Sequence, residues 1–170
     1  IMQIIESLDA GPILKKIKIK INESVTTKDL SKKLSKISSE SITKILDDIF
    51  SEKLQSMKQN NDLATYAKKI KKTEAEINWK ESAKKILAKI NGLNPNPGAW
   101  FVYKKKRHKI WRAKISEKNG APGKILDKNF IIGCSDKSLE IIEIQKEGRN
   151  KQPLKNFLMG TDFKNGDELK

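Results

Sequence analysis

Beyond the breaker "NPNPG" (Asn94 to Gly98), the chain reads as five short β-like runs set off by turn residues. They are "AWFVY", "KIWRAKI", "KILD", "FIIGC" and "LEIIEIQ", with "NGAPG" (Asn119 to Gly123) and "SDKS" (Ser135 to Ser138) between some of them. A strand this short cannot shield an apolar face alone, and several at such spacing suggest a small barrel, here of OB type. A helix leads into it. Ala83, Ile86, Leu87 and Ile90 fall on one helical face, Asn78 and Glu81 make a capping box at its start, and Gly92 is a stop. "PLKNFL" (Pro153 to Leu158) reads as a brief closing helix.

The front of the chain has a different grain. "IMQII" reads as a buried strand, and "KIKIKI" (Lys16 to Ile21) alternates like a half-buried one. Thr26 and Asp29 resemble a capping box for a helix carrying Leu30, Leu34 and Ile37. A second start at Ser38-Ser39 leads a further helix with Ile42, Ile45, Leu46 and Ile49. Strands followed by packed helices resemble the tail of an α/β domain. "QSMKQNNDLATYAKKIKKTEAE" (Gln55 to Glu76) is polar, with little periodicity, and reads as a linker. The expected organisation is an α+β chain in three parts: 1–57, the end of an α/β domain; 58–74, a basic linker; 75–170, the small barrel with its leading helix. Ile1 opens directly into an apolar run, where a native terminus is usually polar and loose, so further residues are expected upstream.

Composition narrows the class. No apolar stretch approaches the roughly 18 residues of a helical membrane span, and "IMQII" is too short for a signal peptide. The single Cys134 excludes an internal disulfide framework and fits a reducing cytoplasm. Cys134 and His108 do not make a zinc set, which needs three or four ligands. Basic residues outnumber acidic by 36 to 21, a net charge of +15, and about two thirds of that excess lies beyond Glu74. Such an excess favours a polyanion, nucleic acid before membrane surface. Part of it also reads as Lys-rich genome bias, since only Arg107, Arg112 and Arg149 are Arg.

Three basic clusters stand out: Lys68, Lys69, Lys71 and Lys72 in the linker; Lys104, Lys105, Lys106, Arg107 and Lys109 in "KKKRHK"; Arg149 and Lys151 in "GRNK". "KKKRHK" is expected at a hairpin tip, where clustered cations attract phosphate and release counterions. The flanking Trp100, Phe101, Tyr103 and Trp111 either stack on bases or fill the barrel, and alternation favours the barrel. His108, among cations and without a nearby acid, is a poor general base. By spacing alone Asp9, in "LDAGP", is turn punctuation. No Gly-rich phosphate loop, nucleophile elbow or metal motif is present.

Taken in order, the segments resemble methionyl-tRNA formyltransferase. "IMQIIESLDAGPIL" is similar to the strand-turn-strand that closes that family's active site, and "LATYAKKIKKTEAEINW" to its interdomain linker. "GLNPNPGAWF", "PGKIL", "LEIIEIQKEGR" and "FLMG" follow in the family's order. The resemblance implies the end of a Rossmann-like formyltransferase domain followed by an OB-like domain that holds tRNA. It implies formyl transfer from 10-formyltetrahydrofolate to the amine of methionyl initiator tRNA. By motif match it makes Asp9 the catalytic Asp, which orders a water and helps move the proton, and it places Leu8, Asp9, Ala10 and Gly11 along the pterin pocket. The family's Asn, His and Ser-Leu-Leu-Pro motif lie upstream of this turn and are absent here. An N-terminally truncated, monomeric, cytoplasmic bacterial protein, inactive alone, is therefore expected. Two rivals remain: a stand-alone RNA-binding module, and a formyltransferase acting on a sugar amine or small nucleotide. High charge and a basic linker favour tRNA over the latter.

Overall fold

A computed structural model describes residues 1–161 and 163–169. It divides into two compact units: Ile1–Ile21 with Ser31–Lys69, and Asn22–Leu30 with Ile70–Lys170.

The second unit is built on helix α2 (Ala83–Gly92) and an antiparallel sheet of β1 (Ala99–Tyr103), β2 (Lys106–Ser116), β3 (Ile131–Gly133), β4 (Ser138–Lys146) and β5 (Gln152–Pro153), closed by α3 (Leu154–Leu158). The sheet runs β1-β2-β4-β3, with β5 also on β4. Ile86, Leu87 and Ile90 of α2 are buried with Phe101, Ile110, Leu139, Ile141 and Ile144 in one core. Each such aliphatic side chain contributes about 1.5–3 kcal/mol on leaving water. The helix starts later than the capping box predicts. Ser82 is its N-cap, with Oγ accepting from Lys85 N. Asp136 Oδ1 accepts from Ala83 N at 2.8 Å, a bond that holds its carboxyl below the ordinary carboxylate range. Asn78 instead closes a turn one step earlier, accepting from Lys80 N.

"KKKRHK" is not all hairpin tip. Tyr103 pairs with Lys106, so only Lys104 and Lys105 form the turn, at φ 47° and 62°, and Lys106 to Lys109 lie in β2. A two-residue loop with both φ values positive matches strand twist. The β2–β4 register shifts around Arg112, leaving Trp111 and Ile142 as extra residues, and that bulge re-aims Trp111. "KILD" is no strand either. Lys124 and Ile125 pair only in isolated bridges, with Glu168 and Ile132, because a turn closed by Phe130 N donating to Asp127 O follows at once.

His108 is buried, at 3 % exposure, in an aromatic cluster. Its ring stacks on Phe101 at 5.4 Å and meets Phe157, Phe163 and Tyr103 edge-on. Burial pushes its pKa below the ordinary 6.5. Above that value the folded and unfolded chains are both neutral here. Below it the unfolded chain takes up a proton that the folded chain resists, so stability is lost as pH falls. Urea unfolding at about pH 7.5 and 5.5 is expected to show a lower midpoint at the acidic pH, and His108→Phe to shrink that difference; an equal drop in both proteins excludes His108 as its source.

Cys134 is buried beside the Ile132 carbonyl, and desolvation pushes its thiol up to about 12. A thiol without thiolate is inert. Ellman's reagent is expected to modify Cys134 only as fast as the chain unfolds; immediate reaction in native buffer contradicts this packing.

In the first unit, α1 (Thr27–Phe50) is one helix, not two, and its first residues belong to the second unit. Ser39 and Ser41 do not restart it, because their hydroxyls donate back to Lys36 O and Ile37 O within the helix. "IMQII" and "KIKIKI" are not strands. Only isolated bridges form, Met2 with Ile13 and Ile13 with Met57, and Ile4, Ile5, Ile17 and Ile21 are exposed. Alternation makes a strand only where neighbouring strands supply a ladder and a face to cover. Among the described residues no helix is long and apolar enough to cross a membrane, and no three His, Cys, Asp or Glu side chains are grouped to hold a metal ion.

Candidate functional site

Two places in the molecule concentrate the sequence-predicted residues. The first is one face of the β1–β2–β4 sheet. Trp100 opposes Lys109, and Val102 opposes Arg107, so these side chains share a face, while Phe101 and His108 take the core side. The Arg107 guanidinium lies 4.2 Å over the Trp100 ring, and Lys109 Nζ lies 5.5 Å from the Trp111 ring while donating to Pro97 O. Such contacts hold a cation at a fixed height over the ring.

The two indoles also tie this strand pair to the other basic segments. Trp100 Nε1 donates to Lys72 O at 3.0 Å, and Trp111 Nε1 donates to Gln145 Oε1 at 2.9 Å. Gln145 Nε2 in turn donates to Arg149 O at 2.6 Å. Two groups result: Trp100 holds the Arg107 guanidinium and the Lys72 backbone, and Trp111 holds the Lys109 ammonium and, through Gln145, the Arg149 backbone. Gln145 is the member that sequence reading missed; its one signal is a polar residue closing the alternating run "LEIIEIQ".

The remaining cations differ. Lys151 is paired with Glu143 at 3.3 Å. Lys104 sits 5.2 Å from the Tyr103 ring, and Lys105 and Lys106 are exposed. Lys71 is exposed in the second unit, whereas Lys68 and Lys69 belong to the first. The aromatic rings are not free for stacking. Trp100 and Trp111 are 8 % and 9 % exposed, Phe101 is buried, and Tyr103 stacks on Phe163 while its hydroxyl donates to Asp167.

The second place is the Asp9 turn. Asp9 has φ 54°, in the left-handed region that short polar residues tolerate. Gly11 is obligatory, since a Cβ there would lie 1.7 Å from Gln3 O. Gln59 Nε2 donates to both Asp9 O and Gly11 O. An open groove of about 1370 Å³ is lined by Leu8, Asp9, Ala10, Met57, Asn60 and Tyr66 among others. Leu8 projects into solvent, at 92 % exposure, but Gly11 is buried and does not line the groove. Among the described residues no hydrogen bond engages the Asp9 carboxylate. His108 lies in the other unit and is no part of this site.

Comparison with known proteins adds a family. Residues 69–162 match the formyl transferase C-terminal domain. The chain is 41 % identical over 170 residues to the methionyl-tRNA formyltransferase of Pelagibacter ubique, covering 99 % of this chain and 55 % of that protein. It is 38 % identical to the enzyme of the same name from Carboxydothermus hydrogenoformans, covering 94 % and 54 %. The chain thus spans about half the length of the curated relatives it matches. Among solved structures, HypX from Aquifex aeolicus in complex with tetrahydrofolic acid aligns with TM-score 0.65 and 19 % identity over 99 % of this chain and 33 % of that one. An N-formyltransferase from Helicobacter canadensis, bound to folinic acid and dTDP-3-aminofucose, aligns at TM-score 0.63 and 20 % identity over 85 % of this chain and 54 % of that one. At such identities these two show a shared fold. With that C-terminal domain spanning more than half of its residues, the chain belongs to the formyl transferase family.

Proposed function

We propose that this chain serves formyl transfer from 10-formyltetrahydrofolate to the amino group of methionyl initiator tRNA, in the bacterial cytoplasm and as a monomer. The observation that carries the tRNA reading is the pair of indoles that hold the Arg107 and Lys109 cations and anchor the Lys72 and Arg149 backbones. Two cations on one sheet face, with Lys72 and Arg149 anchored beside it by their backbones, suit the phosphates of a large RNA better than a sugar nucleotide, which carries few charges. The names of the relatives support the same reading.

In this proposal the second unit is an OB-like barrel that holds tRNA, residues 58–74 link it to the part carrying Asp9, and residues 1–57 end a Rossmann-like domain. The Asp9 turn fits a folate co-substrate. It offers an unengaged carboxylate, an exposed apolar Leu8 and an open groove. Leu8 and Ala10 would flank the pterin ring, and the bound co-substrate would supply the formyl group. Asp9 would hold a water against the reacting amine and accept its proton as the amine attacks. Asn60 and Asn61 line the groove with Asp9, whereas no His does, and the resemblance implies that the family's oxyanion donors, an Asn and a His, lie upstream of this turn.

Two measurements test the proposal. The chain is expected to bind initiator tRNA with affinity falling steeply with salt; binding level across a salt series removes the phosphate track. The 170 residues alone are expected to give no formyl-methionyl-tRNA when supplied with both substrates, and clear turnover refutes the dependence on the missing donors.

A further inference from the structure

The Asp9 turn is held both by its own flanks and by a distant segment. Asp9 is in the left-handed region, and the polypeptide on either side forms only isolated bridges rather than a sheet. Gln3 N donates to Pro12 O and Leu14 N to Ile1 O, each at 3.0 Å, and further support comes from far along the chain. Ile13 and Met57 exchange two backbone hydrogen bonds, N to O and O to N, each 2.8 Å. Gln59 lies two residues further along. There a single atom, Gln59 Nε2, donates at 2.9 Å to Asp9 O and at 2.7 Å to Gly11 O. The two protons of one amide nitrogen therefore span both carbonyls that flank Ala10. Glu at this position has no proton to give, Leu has no polar atom, and Asn is one methylene too short.

We propose that Gln59 is a positioning residue for Asp9, holding the turn so that the carboxylate faces the groove at the height the reaction requires. This inference rests on the reading of Asp9 as catalytic. Gln59 lines the same groove as Asp9 but bonds the backbone on either side of Ala10 rather than the carboxylate, and it acts through that backbone. Misplacing a reacting group by about 1 Å is enough to slow chemistry roughly a hundredfold.

The test has two parts. In the 170-residue chain, the Gln59 side-chain amide protons are expected to exchange with solvent slowly. Gln59→Leu is expected to speed exchange at the hydrogen-bonded amides beside the turn, Gln3, Ile13 and Met57, while leaving the second unit unchanged. Exchange at the rate of a free glutamine side chain overturns the proposal. For activity, residues 1–170 are joined to the part of the Pelagibacter ubique relative that lies outside the matched region. In that chimera Gln59→Leu and Gln59→Glu are expected to lower kcat about a hundredfold with KM for methionyl-tRNA within twofold and an unchanged Tm. Gln59→Asn is expected to behave like them, because reach and not polarity is at issue. An active chimera whose rate ignores Gln59 overturns this proposal alone. A chimera with no activity, or one indifferent to Asp9→Asn, overturns the reading of Asp9 and the inference with it.

Discussion

Replacing Lys72, Arg107, Lys109 and Arg149 together by Gln is expected to weaken tRNA binding about a thousandfold at roughly 0.15 M salt. The size follows from counterion release, since each neutralised phosphate contributes roughly 0.7 of a power of ten under these conditions. Gln keeps much of the aliphatic stem that covers the indoles, so the fold is expected to survive, with near-unchanged circular dichroism and urea midpoint. The log–log salt slope should fall by about 3 to 4 at the same time. A quadruple variant that binds within a fewfold of the parent removes this face from the RNA site. The four single variants add a further check: Lys151→Gln, already paired with Glu143, should matter less than any of them.

The second large effect has opposite signs for stability and binding. Lys104 and Lys105 occupy a two-residue turn with φ 47° and 62°, where Asn-Gly is the favoured pair. A side chain in the left-handed region costs about 1–2 kcal/mol, and glycine relieves it. The double variant Lys104→Asn, Lys105→Gly is therefore expected to stabilise the second unit by about 2 kcal/mol, raising its melting midpoint by roughly 10 °C. Removal of two cations from the tip is expected to weaken RNA binding by about twentyfold. Stability that falls, or affinity that holds, defeats the idea that these lysines are kept for charge against a strained backbone. The arrangement is the kind of local conflict expected at a working surface.

Much of the second unit was legible because its signals are local. Alternation in "AWFVY", "KIWRAKI" and "LEIIEIQ" marks β1, β2 and β4, and the 3.6-residue spacing of Ile86, Leu87 and Ile90 marks α2. The same rule failed in "KIKIKI" and "IMQII", where the pattern is right but no neighbouring ladder is present. Helix α1 (Thr27–Phe50) read as two because serines look like caps until their hydroxyls are seen bonding back into the same helix. The cap of α2 was missed for a related reason. Its strongest acceptor, Asp136, comes from 53 residues away.

The chain's own residues determined its charge, its turn chemistry at Asp9-Ala10-Gly11, and the runs that become strands, because each depends on neighbours within a few positions. Only the tertiary structure decided which cations act together and what steadies Asp9. Trp100 reaches Lys72 across 28 residues, Trp111 reaches Gln145 across 34, and Gln59 reaches the Asp9 turn across 50. Hydrogen bonds over such separations are set by how strands pair and bulge, and no period in the sequence encodes them.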